Sequence, residues 1–413
     1  MVPKIFISAG EASGEHYGAL LIAALRKQLA PQGMNADLFG MGGPRMSAAG
    51  LECIVRAEDM AVMGVTEVVR HLPRIYREYR KLRGAIRTRR PDVAVLIDFP
   101  DVHFKLACEL HRLGIPVVYF VSPQLWAWKK HRIELVRKFV DRMVVIFPFE
   151  EGFYRERGIR AEFVGHPLAE LPLPTVSREE FAAGNQLHFE RAWIGLLPGS
   201  RMKEIEGNLP EMLEVAWRLS LPHPAAAHPN ESYDFVIPLA PTLTAEQRER
   251  VYQLAEDRGG GLSVRVVEDA RAALLHARAS VVASGTATVE AALIGNPFVV
   301  VYRVSPVTYA VARRVVDVPH VAMVNLIADK RLVPELIQHD FTAAKIVAEL
   351  ERLLPDGAPR QSMMQGLAEI RTALRAPAQS GPDARGAMDR LAAIVLGFVS
   401  PAARGKRGQG YES

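Results

Sequence analysis

The sequence predicts an α/β protein with two doubly wound, Rossmann-like domains that face a central cleft. Two observations predict this fold: short apolar strands alternate with helical patterns in both halves of the chain, and the alternation breaks once, near the middle. Continuous apolar strands separated by helices are typical of parallel sheets covered on both faces. In such sheets ligands bind beyond the carboxyl ends of the strands, so polar residues at those ends are the candidates for function.

In the first half, each predicted strand is a short apolar run followed by a helical pattern, such as the one at 103–113. The strands span residues 4–9, 37–41, 93–98, 116–122, 142–147 and 162–165. Residues 166–192, which are rich in proline and polar side chains, interrupt the rhythm, and we interpret them as an interdomain linker.

A second alternation follows the linker, and its domain is similar in size to the first. Its predicted strands span residues 193–197, 235–239, 263–267, 280–283 and 298–302. We predict a flexible loop at 221–232, helices over the last ~70 residues and a disordered tail at 401–413. The predicted domains are therefore residues 1–170, completed by C-terminal helices at 375–400, and residues 171–374.

Composition restricts the class of protein. The chain has 413 residues, 49% of them hydrophobic and 23% charged, as expected for a globular protein of two or three ordinary domains. Its two cysteines, Cys53 and Cys108, cannot form a disulfide framework and indicate a reduced, cytosolic protein. We find neither a signal peptide nor an apolar run of the ~18 residues that a spanning helix needs, so we expect any membrane association to be peripheral.

The segment "VVASGTATVEAAL" (281–293) is suited to bind a diphosphate. A buried strand ends in a turn of small residues, and the helix that follows offers free N–H groups and a positive dipole end. Glu290, in the first helical turn or so, can accept hydrogen bonds from ribose hydroxyls. The alternative is a tight turn with N-capping threonines. The turn consists of Gly285, Thr286, Ala287 and Thr288.

A second such turn lies in "IGLLPGSRMKEIE" (194–206). Gly199 gives the turn, Ser200 can cap a helix, and Arg201 offers a planar fork that matches phosphate oxygens. The alternative is a surface arginine at a helix start. Because two phosphate-suited turns occur in one half, we assign the second half to nucleotide-diphosphate binding.

Several other classes of protein lack their motifs. The chain has no P-loop and no G-x-G-x-x-G after a strand, which argues against kinases and dehydrogenases. It has no D-x-D and no His/Cys cluster with zinc-like spacing. We therefore predict that the protein uses neither a catalytic metal nor another cofactor.

In the first half, "AVLIDFPDVHF" (94–104) carries Asp98 at the end of a buried strand. A carboxylate there is suited to act as a general base, and partial burial raises its pKa toward the working range. The alternative is that Asp98 caps the following helix, although Asp101, preceded by Pro100, is the better candidate for that cap.

The segment "YFVSPQLWAWKKHR" (119–132) carries Trp126 and Trp128 just past a strand, with basic residues behind them. Aromatic faces suit sugar rings and acyl chains, and the basic side chains suit a phosphate. Alternatively, the tryptophans serve packing. The basic residues are Lys129, Lys130 and Arg132.

The segment "ISAGEASGEHYGALL" (7–21) runs from a strand into a glycine-containing loop, and we predict that a helix starts near His16. The loop has the outline of a nucleotide-binding turn, yet Glu11 and Glu15 repel phosphate. The family resemblance given below implies a sugar acceptor at this loop, where Gly10 and Gly14 let the backbone approach the sugar and the two glutamates bind its hydroxyls or position its amide.

Residues 70–90 form an amphipathic, basic helix in our prediction. They contain nine Arg or Lys and one Glu, a net +8 in a chain whose formal net charge is +5. Apolar residues recur at helical spacing. The segment is either a solvated face over a core stripe or a surface for anionic lipid head groups, which apolar residues near Val62–Val65 would support. No nucleic-acid-binding motif accompanies it, so we predict no nucleic acid partner.

Nine segments in order resemble the lipid-A-disaccharide synthase family and cover residues ~5 to ~340. The resemblance implies an inverting, metal-independent glycosyltransferase with the two-domain GT-B-type fold. It implies transfer of 2,3-diacylglucosamine from UDP-2,3-diacylglucosamine to the 6-hydroxyl of 2,3-diacylglucosamine 1-phosphate, which gives a β-1,6 disaccharide and UDP. The segments are SAGEASGE, MGVTEV, IDFPD, SPQLWAW, PFEEGFY, FVGHPL, LLPGSR, GTATVE and NLIADKRLVPELIQ.

The same resemblance implies roles for individual residues. Asp98 matches the family's proposed base. Donor-side positions match Ser200, Arg201, the 285–288 turn, Glu290 and Asn325, and acceptor-side positions match Gly10, Glu11, Ser13, Gly14, Glu15, Ser122, Trp126 and Trp128. The chain departs from the family's usual pattern where Glu15 replaces Asp, where "PDVHF" replaces Pro-Asp-Phe-Asn, and where Val324 precedes Asn325 in place of Pro.

Two competing functions stay open on the sequence. One is a UDP-sugar epimerase or hydrolase of the same architecture, which needs no second sugar. The other is a non-catalytic protein that binds a UDP-sugar or acts as a scaffold. For the transferase, acylated substrates imply a cytoplasmic protein held peripherally at the cytoplasmic face of the inner membrane. The oligomeric state is left open, with a homodimer as one alternative.

Overall fold

The computed structural model describes residues 2–60, 65–221, 232–315, 318–376 and 386–399. The chain divides into two compact units: unit 1 comprises Met1–Glu170 with Leu374–Ser413, and unit 2 comprises Leu171–Ala373. Three predicted features lie wholly or largely outside the described residues, namely the apolar residues near 62–65, the loop at 221–232 and the tail at 401–413.

Unit 1 is built on a sheet of seven parallel strands. Its strands are apolar because helices cover both faces; Val93–Ile97, for example, is fully buried along its length. The strands are Lys4–Ala9 (β1), Asp37–Gly42 (β2), Glu52–Arg56 (β3), Val93–Ile97 (β4), Val117–Phe120 (β5), Arg142–Val145 (β6) and Ala161–Phe163 (β7). The helices are Ala12–Leu29 (α1), Pro44–Ala49 (α2), Ala57–Met60 (α3), Val65–Arg89 (α4), Pro100–Arg112 (α5), Ile133–Phe139 (α6) and Pro148–Arg155 (α7).

Unit 2 is built on a sheet of six parallel strands. The strands are Ala192–Leu197 (β8), Tyr233–Pro238 (β9), Val264–Val267 (β10), Ala279–Ala283 (β11), Phe298–Tyr302 (β12) and Glu335–Ile337 (β13). The helices are Arg178–Asn185 (α8), Met202–Ser220 (α9), Ala245–Gly259 (α10), Ala270–His276 (α11), Thr286–Ile294 (α12), Pro306–Val315 (α13), Met323–Ala328 (α14), Ala343–Leu353 (α15) and Ala358–Ala373 (α16).

Both sheets have the same doubly wound topology. The strand orders are β3-β2-β1-β4-β5-β6-β7 and β10-β9-β8-β11-β12-β13, so each unit begins at a central strand, winds to one edge and then winds to the other. The winding direction changes between β1 and β4 in unit 1 and between β8 and β11 in unit 2. Ligands of such sheets bind beyond the strand ends at this switch point. The predicted fold class of two parallel, doubly wound α/β sheets is confirmed.

The C-terminal helix Ala387–Gly397 (α17) belongs to unit 1 and packs against α1. Asp389 joins the two helices: its carboxylate lies 3.0 Å from Lys27 Nζ, and its carbonyl accepts a hydrogen bond of 2.6 Å from Gln28 Nε2. The Glu170 carboxylate accepts a hydrogen bond from the Ala387 N–H at the start of α17.

Some predicted elements differ from the structure. The segment 166–192, interpreted as a linker, contains α8, whose N-cap Ser177 accepts a hydrogen bond from the Glu180 N–H. The sequence analysis missed two short strands, β3 and β13, which lie at sheet edges and are only partly buried. Strands so short show little periodicity from which to predict them.

Candidate active site

Asp98 and Gly10 lie at the switch point of unit 1. Gly10 directly follows β1, Asp98 directly follows β4, and the last residues of these neighbouring strands, Ala9 and Ile97, are paired in register. The structure therefore brings the predicted base next to the first residues of the predicted acceptor segment.

The Phe99 side chain explains why residue 10 is glycine. A Cβ on Gly10 would lie 2.3 Å from Phe99 Cδ1, closer than atoms can approach. Since Phe99 is bonded to Asp98, a larger side chain at position 10 would force the Phe99 ring to move next to the predicted base. Gly10 thus makes room for a neighbour within the protein, whatever further contact it makes with a ligand.

The predicted helix start near His16 is wrong. Helix α1 begins at Ala12, with Glu11 as its N-cap residue and a first hydrogen bond of 2.8 Å from the Glu15 N–H to the Glu11 carbonyl. Ser13, Gly14 and Glu15 therefore lie in the first helical turn. Gly14 packs on β4, since its Cβ position is 3.5 Å from Ile97 Cγ2. Only Gly10 and Glu11 of the predicted glycine loop lie between β1 and α1.

Glu15 has a partner within unit 1. Its Oε1 accepts a hydrogen bond of 2.8 Å from the backbone N–H of Arg45, in the first turn of α2. The carboxylate therefore satisfies a helix N-terminus, where a negative charge is also favoured by the helix dipole. This contact gives Glu15 a structural role alongside the predicted acceptor contact.

The environment of Asp98 suits a proton acceptor at neutral pH. Burial, together with the negative charge of Glu11, raises the pKa of Asp98 from 3.8 to about 7, against a hydrogen bond from the Phe99 N–H that stabilises the charged form. A base is most effective when its pKa lies near the working pH. Asp98 does not cap α5, whose N-cap residue is Phe99, and neither does Asp101, which lies in the first turn of α5 and pairs with Arg132 at 2.5 Å.

Sequence reasoning missed three side chains that surround the Asp98 backbone. His103 Nδ1 lies 2.6 Å and Tyr119 Oη 2.7 Å from the Asp98 carbonyl oxygen, and Ser8 Oγ lies 2.8 Å from His103 Nε2. All three side chains are fully buried. A buried histidine on an apolar helix face gives no sequence signal that distinguishes it from a core residue.

The two tryptophans of the 122–128 segment have different environments. Trp126 packs edge-to-face on Phe149, with ring centroids 5.2 Å apart, and its Nε1–H donates a hydrogen bond of 3.2 Å to Glu150. Trp128 is 42% exposed, and Lys129 Nζ lies 4.1 Å from its ring centroid. Trp126 is therefore a packed residue, as the alternative held, and Trp128 offers an exposed aromatic surface beside a cation.

Ser122 and Glu150 are buried polar residues that hold the same segment in place through hydrogen bonds. Ser122 is buried, and its Oγ lies 2.7 Å from the Tyr154 hydroxyl. Glu150 is also buried, and burial raises its pKa to about 8. Because its oxygens accept hydrogen bonds from Trp126 and from the Phe147 N–H, Glu150 ties the tryptophan segment to the start of α7.

In unit 2, the two predicted phosphate turns follow neighbouring strands. Gly199 to Arg201 follow β8 and Gly285 follows β11, and Leu197 pairs in register with Val282. Gly199 and Gly285 have φ values of 129° and 152°, which favour glycine. The structure therefore brings both turns to the switch point of this sheet.

The start of α9 differs from the prediction in one respect. The N-cap residue is Arg201, so Ser200 precedes the helix and does not cap it. The Glu204 carboxylate serves this helix end instead: it accepts a hydrogen bond of 3.1 Å from the Ser200 N–H and lies 3.2 Å from the Arg201 guanidinium. Arg201 is half exposed, so part of its fork is available to a ligand.

The start of α12 is open. Gly285 is the N-cap residue and no side chain caps the helix, so the predicted alternative of N-capping threonines is wrong. Thr288 is buried and donates to the Gly285 carbonyl at 2.7 Å, while Gly285 and Thr286 are exposed. The N–H groups of a first helical turn have no partner inside the helix. Glu290 is a full turn further than Thr286, and burial raises its pKa.

Asn325 lies in α14, which packs against α12. Its amide is fully buried and fully used: Nδ2 donates to the Val333 carbonyl at 2.9 Å and to Glu335 at 2.7 Å, and Oδ1 accepts from the N–H groups of Leu332 and Val333 at 2.8 and 2.9 Å. An asparagine amide has two donors and two acceptor sites. Asn325 therefore fixes the chain between α14 and β13.

The described residues also bear on metal and membrane sites. Among them no group of three or more His, Cys, Asp or Glu side chains is placed to hold a metal ion. Within the same ranges, every helix is too short or too polar to cross a membrane.

Comparison with solved structures identifies the fold. The chain resembles MurG from Acinetobacter baumannii, with a TM-score of 0.54 and 16% identity over 96% of this chain and 100% of that one. It also resembles UDP-GlcNAc 2-epimerase from Neisseria meningitidis bound to UDP-GlcNAc, with a TM-score of 0.58 and 11% identity over 97% and 99%. The two sheets and their ligand-suited switch points thus define a protein of the GT-B-like glycosyltransferase fold, which this epimerase shares.

Sequence comparison identifies the family. The family model described as lipid-A-disaccharide synthetase matches residues 5–382. The lipid-A-disaccharide synthase of Acidobacterium capsulatum is 62% identical over 387 residues, which is 92% of this chain and 93% of that protein. The chain belongs to the lipid-A-disaccharide synthase family, and it is a glycosyltransferase of lipid A biosynthesis. The predicted family and enzyme class are confirmed.

Proposed function

We propose that this protein transfers 2,3-diacylglucosamine from UDP-2,3-diacylglucosamine to the 6-hydroxyl of 2,3-diacylglucosamine 1-phosphate. The products are the β-1,6-linked lipid A disaccharide 1-phosphate and UDP. The observation that carries the proposal is Asp98, a carboxyl at the switch point of unit 1 whose pKa is raised to about 7 by burial and by Glu11.

In this mechanism Asp98 acts as the general base of a direct displacement. Its carboxylate removes the proton from the acceptor's 6-hydroxyl as that oxygen attacks the anomeric carbon of the donor. The bond from this carbon to the UDP oxygen breaks, and its electron pair leaves with UDP. Attack from the face opposite the leaving group inverts the anomeric centre. A positioned base of this kind contributes ~10²–10⁴-fold to the rate.

Unit 2 would hold the donor and stabilise the leaving group. The open N-terminus of α12 and the half-exposed Arg201 follow neighbouring strands, and both suit the negative charge that UDP gains. Ser200 and the 285–288 turn would approach the diphosphate, and Glu290 the ribose. Asn325 would support the donor site indirectly, because its amide is already hydrogen-bonded to the segment before β13.

Unit 1 would hold the acceptor. Glu11 and the backbone at Gly10 lie beside Asp98 and would contact the sugar. Trp128, exposed with Lys129 over its ring, suits a sugar or acyl face next to a phosphate. Ser122, Trp126, Ser13, Gly14 and Glu15 would shape the site through their packing and hydrogen bonds.

The test of the reaction is mass spectrometry of a detergent-solubilised mixture in EDTA. We expect disaccharide and UDP only when UDP-2,3-diacylglucosamine and 2,3-diacylglucosamine 1-phosphate are both present. UDP release from the donor alone at the same rate would instead indicate a hydrolase or an epimerase-like enzyme. UDP binding without turnover would indicate a non-catalytic protein, and loss of activity in EDTA that Mg²⁺ restores would contradict the metal-independent mechanism.

The test of the base is Asp98→Ala. We expect turnover to fall by ~10²–10⁴-fold, with UDP affinity unchanged because the UDP site is assigned to unit 2. Asp92→Ala, on the loop before β4, is a control for the loss of an acidic residue. Turnover of Asp98→Ala near that of the unchanged protein would remove Asp98 from this role.

The basic helix α4 supports peripheral binding to an anionic membrane, but less strongly than its sequence charge implies. Eight cations within residues 74–90 have described side chains. Five carboxylates pair with this set, namely Asp37, Glu52, Asp59, Glu78 and Glu109. About three net charges remain, and each is worth ~1 kcal/mol at an anionic surface.

We expect this attachment to be reversible and dependent on salt. The protein should sediment with phosphatidylglycerol vesicles at low salt and much less at high salt, and Arg80→Glu on the exposed face of α4 should weaken it. Arg250→Glu, an exposed charge reversal in unit 2, is the matched control. Binding that depends on neither salt nor anionic lipid would contradict the proposal.

We propose a cytoplasmic protein at the inner membrane surface. Light scattering would test whether the protein is a homodimer, which is the alternative left open.

A further inference from the structure

The backbone around Asp98 is strained. Asp98 and Phe99 both have a φ of 51°, the left-handed region that non-glycine residues rarely adopt. Each such residue costs on the order of 1–3 kcal/mol, and it persists only where the surroundings determine the conformation. Strong contacts must therefore hold these two consecutive residues.

One peptide unit, the one that joins Asp98 to Phe99, connects the surroundings to the Asp98 carboxyl. Its carbonyl oxygen is approached by His103 Nδ1 at 2.6 Å and by the Tyr119 hydroxyl at 2.7 Å. Its N–H lies beside the Asp98 carboxyl and favours the charged form of that group. Whatever fixes the carbonyl therefore also fixes the direction of the N–H bond and, through it, the carboxyl group.

The hydrogen-bond partners determine the tautomer of His103. Because a carbonyl oxygen can only accept, Nδ1 carries the proton and donates to Asp98. Nε2 is then an acceptor, and the Ser8 hydroxyl donates to it over 2.8 Å. Burial lowers the pKa of His103 to about 4, so the ring is neutral at physiological pH and this arrangement persists.

We propose that His103, oriented by Ser8, is a positioning residue that fixes the carboxyl of Asp98 through the peptide between Asp98 and Phe99. The proposal rests on the proposed role of Asp98 as the base. Tyr119 supplies the second donor from β5. The arrangement spans three elements, since Ser8 lies on β1, His103 on α5 and Tyr119 on β5.

This arrangement also affects the basicity of Asp98. Hydrogen bonds to a carbonyl polarise the peptide and strengthen its N–H as a donor. A stronger N–H bond to the carboxyl favours its charged form. The titratable groups around Asp98 are Glu11 at the start of α1, His103 on α5 and Tyr119 on β5. Of these, Glu11 carries the charge that opposes ionisation.

The experiment compares His103→Leu, His103→Asn and Leu110→Ala in the full chain. His103→Leu removes the donor. His103→Asn keeps an amide N–H near the position of Nδ1. Leu110→Ala removes a buried side chain of the same helix and controls for lost stability. The readouts are kcat, KM for each lipid, and the pH dependence of kcat, with melting temperatures to confirm folding.

For His103→Leu we expect kcat to fall about 10–100-fold with both KM values nearly unchanged, because a misdirected base slows chemistry and not binding. The acid limb of the pH profile should move up by about 0.5–1 unit. His103→Asn should recover most of the activity, and Ser8→Ala and Tyr119→Phe should shift the profile in the same direction by less. Leu110→Ala should melt earlier and keep the original profile.

Three outcomes would overturn the inference: a folded His103→Leu with the original kcat and pH profile, a Leu110→Ala that shifts the profile equally, or a His103→Asn as impaired as His103→Leu. The proposed function fails in a different way. If Asp98→Ala keeps its turnover, the base itself is wrong; if Asp98→Ala loses turnover while folded His103→Leu does not, only the positioning role is wrong.

Discussion

The Glu11 carboxylate raises the pKa of the Asp98 carboxyl, and after burial it is the second cause of a pKa of about 7. The two residues follow neighbouring strands of one sheet. A like charge disfavours ionisation of its neighbour, so Glu11 helps to hold the pKa of the proposed base near neutral pH, in addition to the sugar contact proposed for it.

The first prediction concerns the pH dependence of turnover. Asp98 accepts a proton only when ionised, so activity should rise with pH through about 7. Glu11→Gln removes the opposing charge and should move this limb to lower pH. The measurement is kcat from pH 5 to 9. Glu15→Gln is the control, because the Glu15 carboxyl is engaged by the Arg45 N–H; an unmoved limb in Glu11→Gln would contradict the relationship.

The second prediction separates two roles of Glu15. Glu15→Ala should lower stability by about 1 kcal/mol, as the loss of a helix cap does, whereas Glu15→Gln keeps an oxygen that accepts from Arg45 and should be nearly as stable as the unchanged protein. Thermal melts and the KM for the acceptor are compared. If Glu15→Gln melts normally but its acceptor KM rises, the predicted acceptor contact stands; if both stay unchanged, Glu15 serves the fold alone.

The third prediction concerns acid stability. His166 is buried between the rings of Tyr17 and Phe147, and burial lowers its pKa to about 3. Below pH 6.5 the unfolded chain binds a proton at this residue that the folded chain does not. The stability is therefore complete above pH 6.5 and is lost as pH falls toward 3, by on the order of 2 kcal/mol at pH 5.

Melting temperatures between pH 7 and 5 test this effect. His166→Asn keeps an acceptor for the Leu168 N–H without titrating and should flatten the decline. His131→Gln, at an exposed position, should not. An unchanged decline in His166→Asn would show that other groups control acid stability.

The fourth prediction concerns Asn325. Asn325→Ala leaves a buried N–H group, a partly buried N–H group and a buried carbonyl without their partner, and unsatisfied buried groups cost ~1–3 kcal/mol each. We expect a loss of several kcal/mol, with weaker UDP binding as a consequence. Asn208→Ala, which removes one buried hydrogen bond to the Pro198 carbonyl, should cost less. A stable Asn325→Ala with weak UDP binding would favour a direct donor contact.

The sequence sufficed to predict the fold class and the chain positions of the candidate residues. Buried parallel strands such as β4 are unbroken apolar runs, and the polar residues at their ends can be recognised in the sequence alone. The start of α1 was not predictable in this way. Glycine lowers helix propensity, yet Gly14 and Gly18 both lie inside α1, and at Gly18 a Cβ would lie only 2.6 Å from Met46 Sδ.

Long-range contacts account for what the sequence did not predict at the site. The proposed orientation of Asp98 depends on Ser8 and Tyr119, which are distant from it along the chain and whose contacts with His103 and the Asp98 carbonyl no single segment reveals. Such partners are selected by the packing of neighbouring strands, which a single sequence does not report.

Because α17 follows unit 2 in the chain, unit 1 cannot be completed until the end of synthesis. The ribosome completes all of unit 2 before it synthesises the helix that packs on α1 through Asp389. The side of α1 that packs on α17 therefore stays without this partner while unit 2 is synthesised. The nascent chain therefore carries a first unit whose seven-stranded sheet is complete but whose last helix is missing until unit 2 has been synthesised.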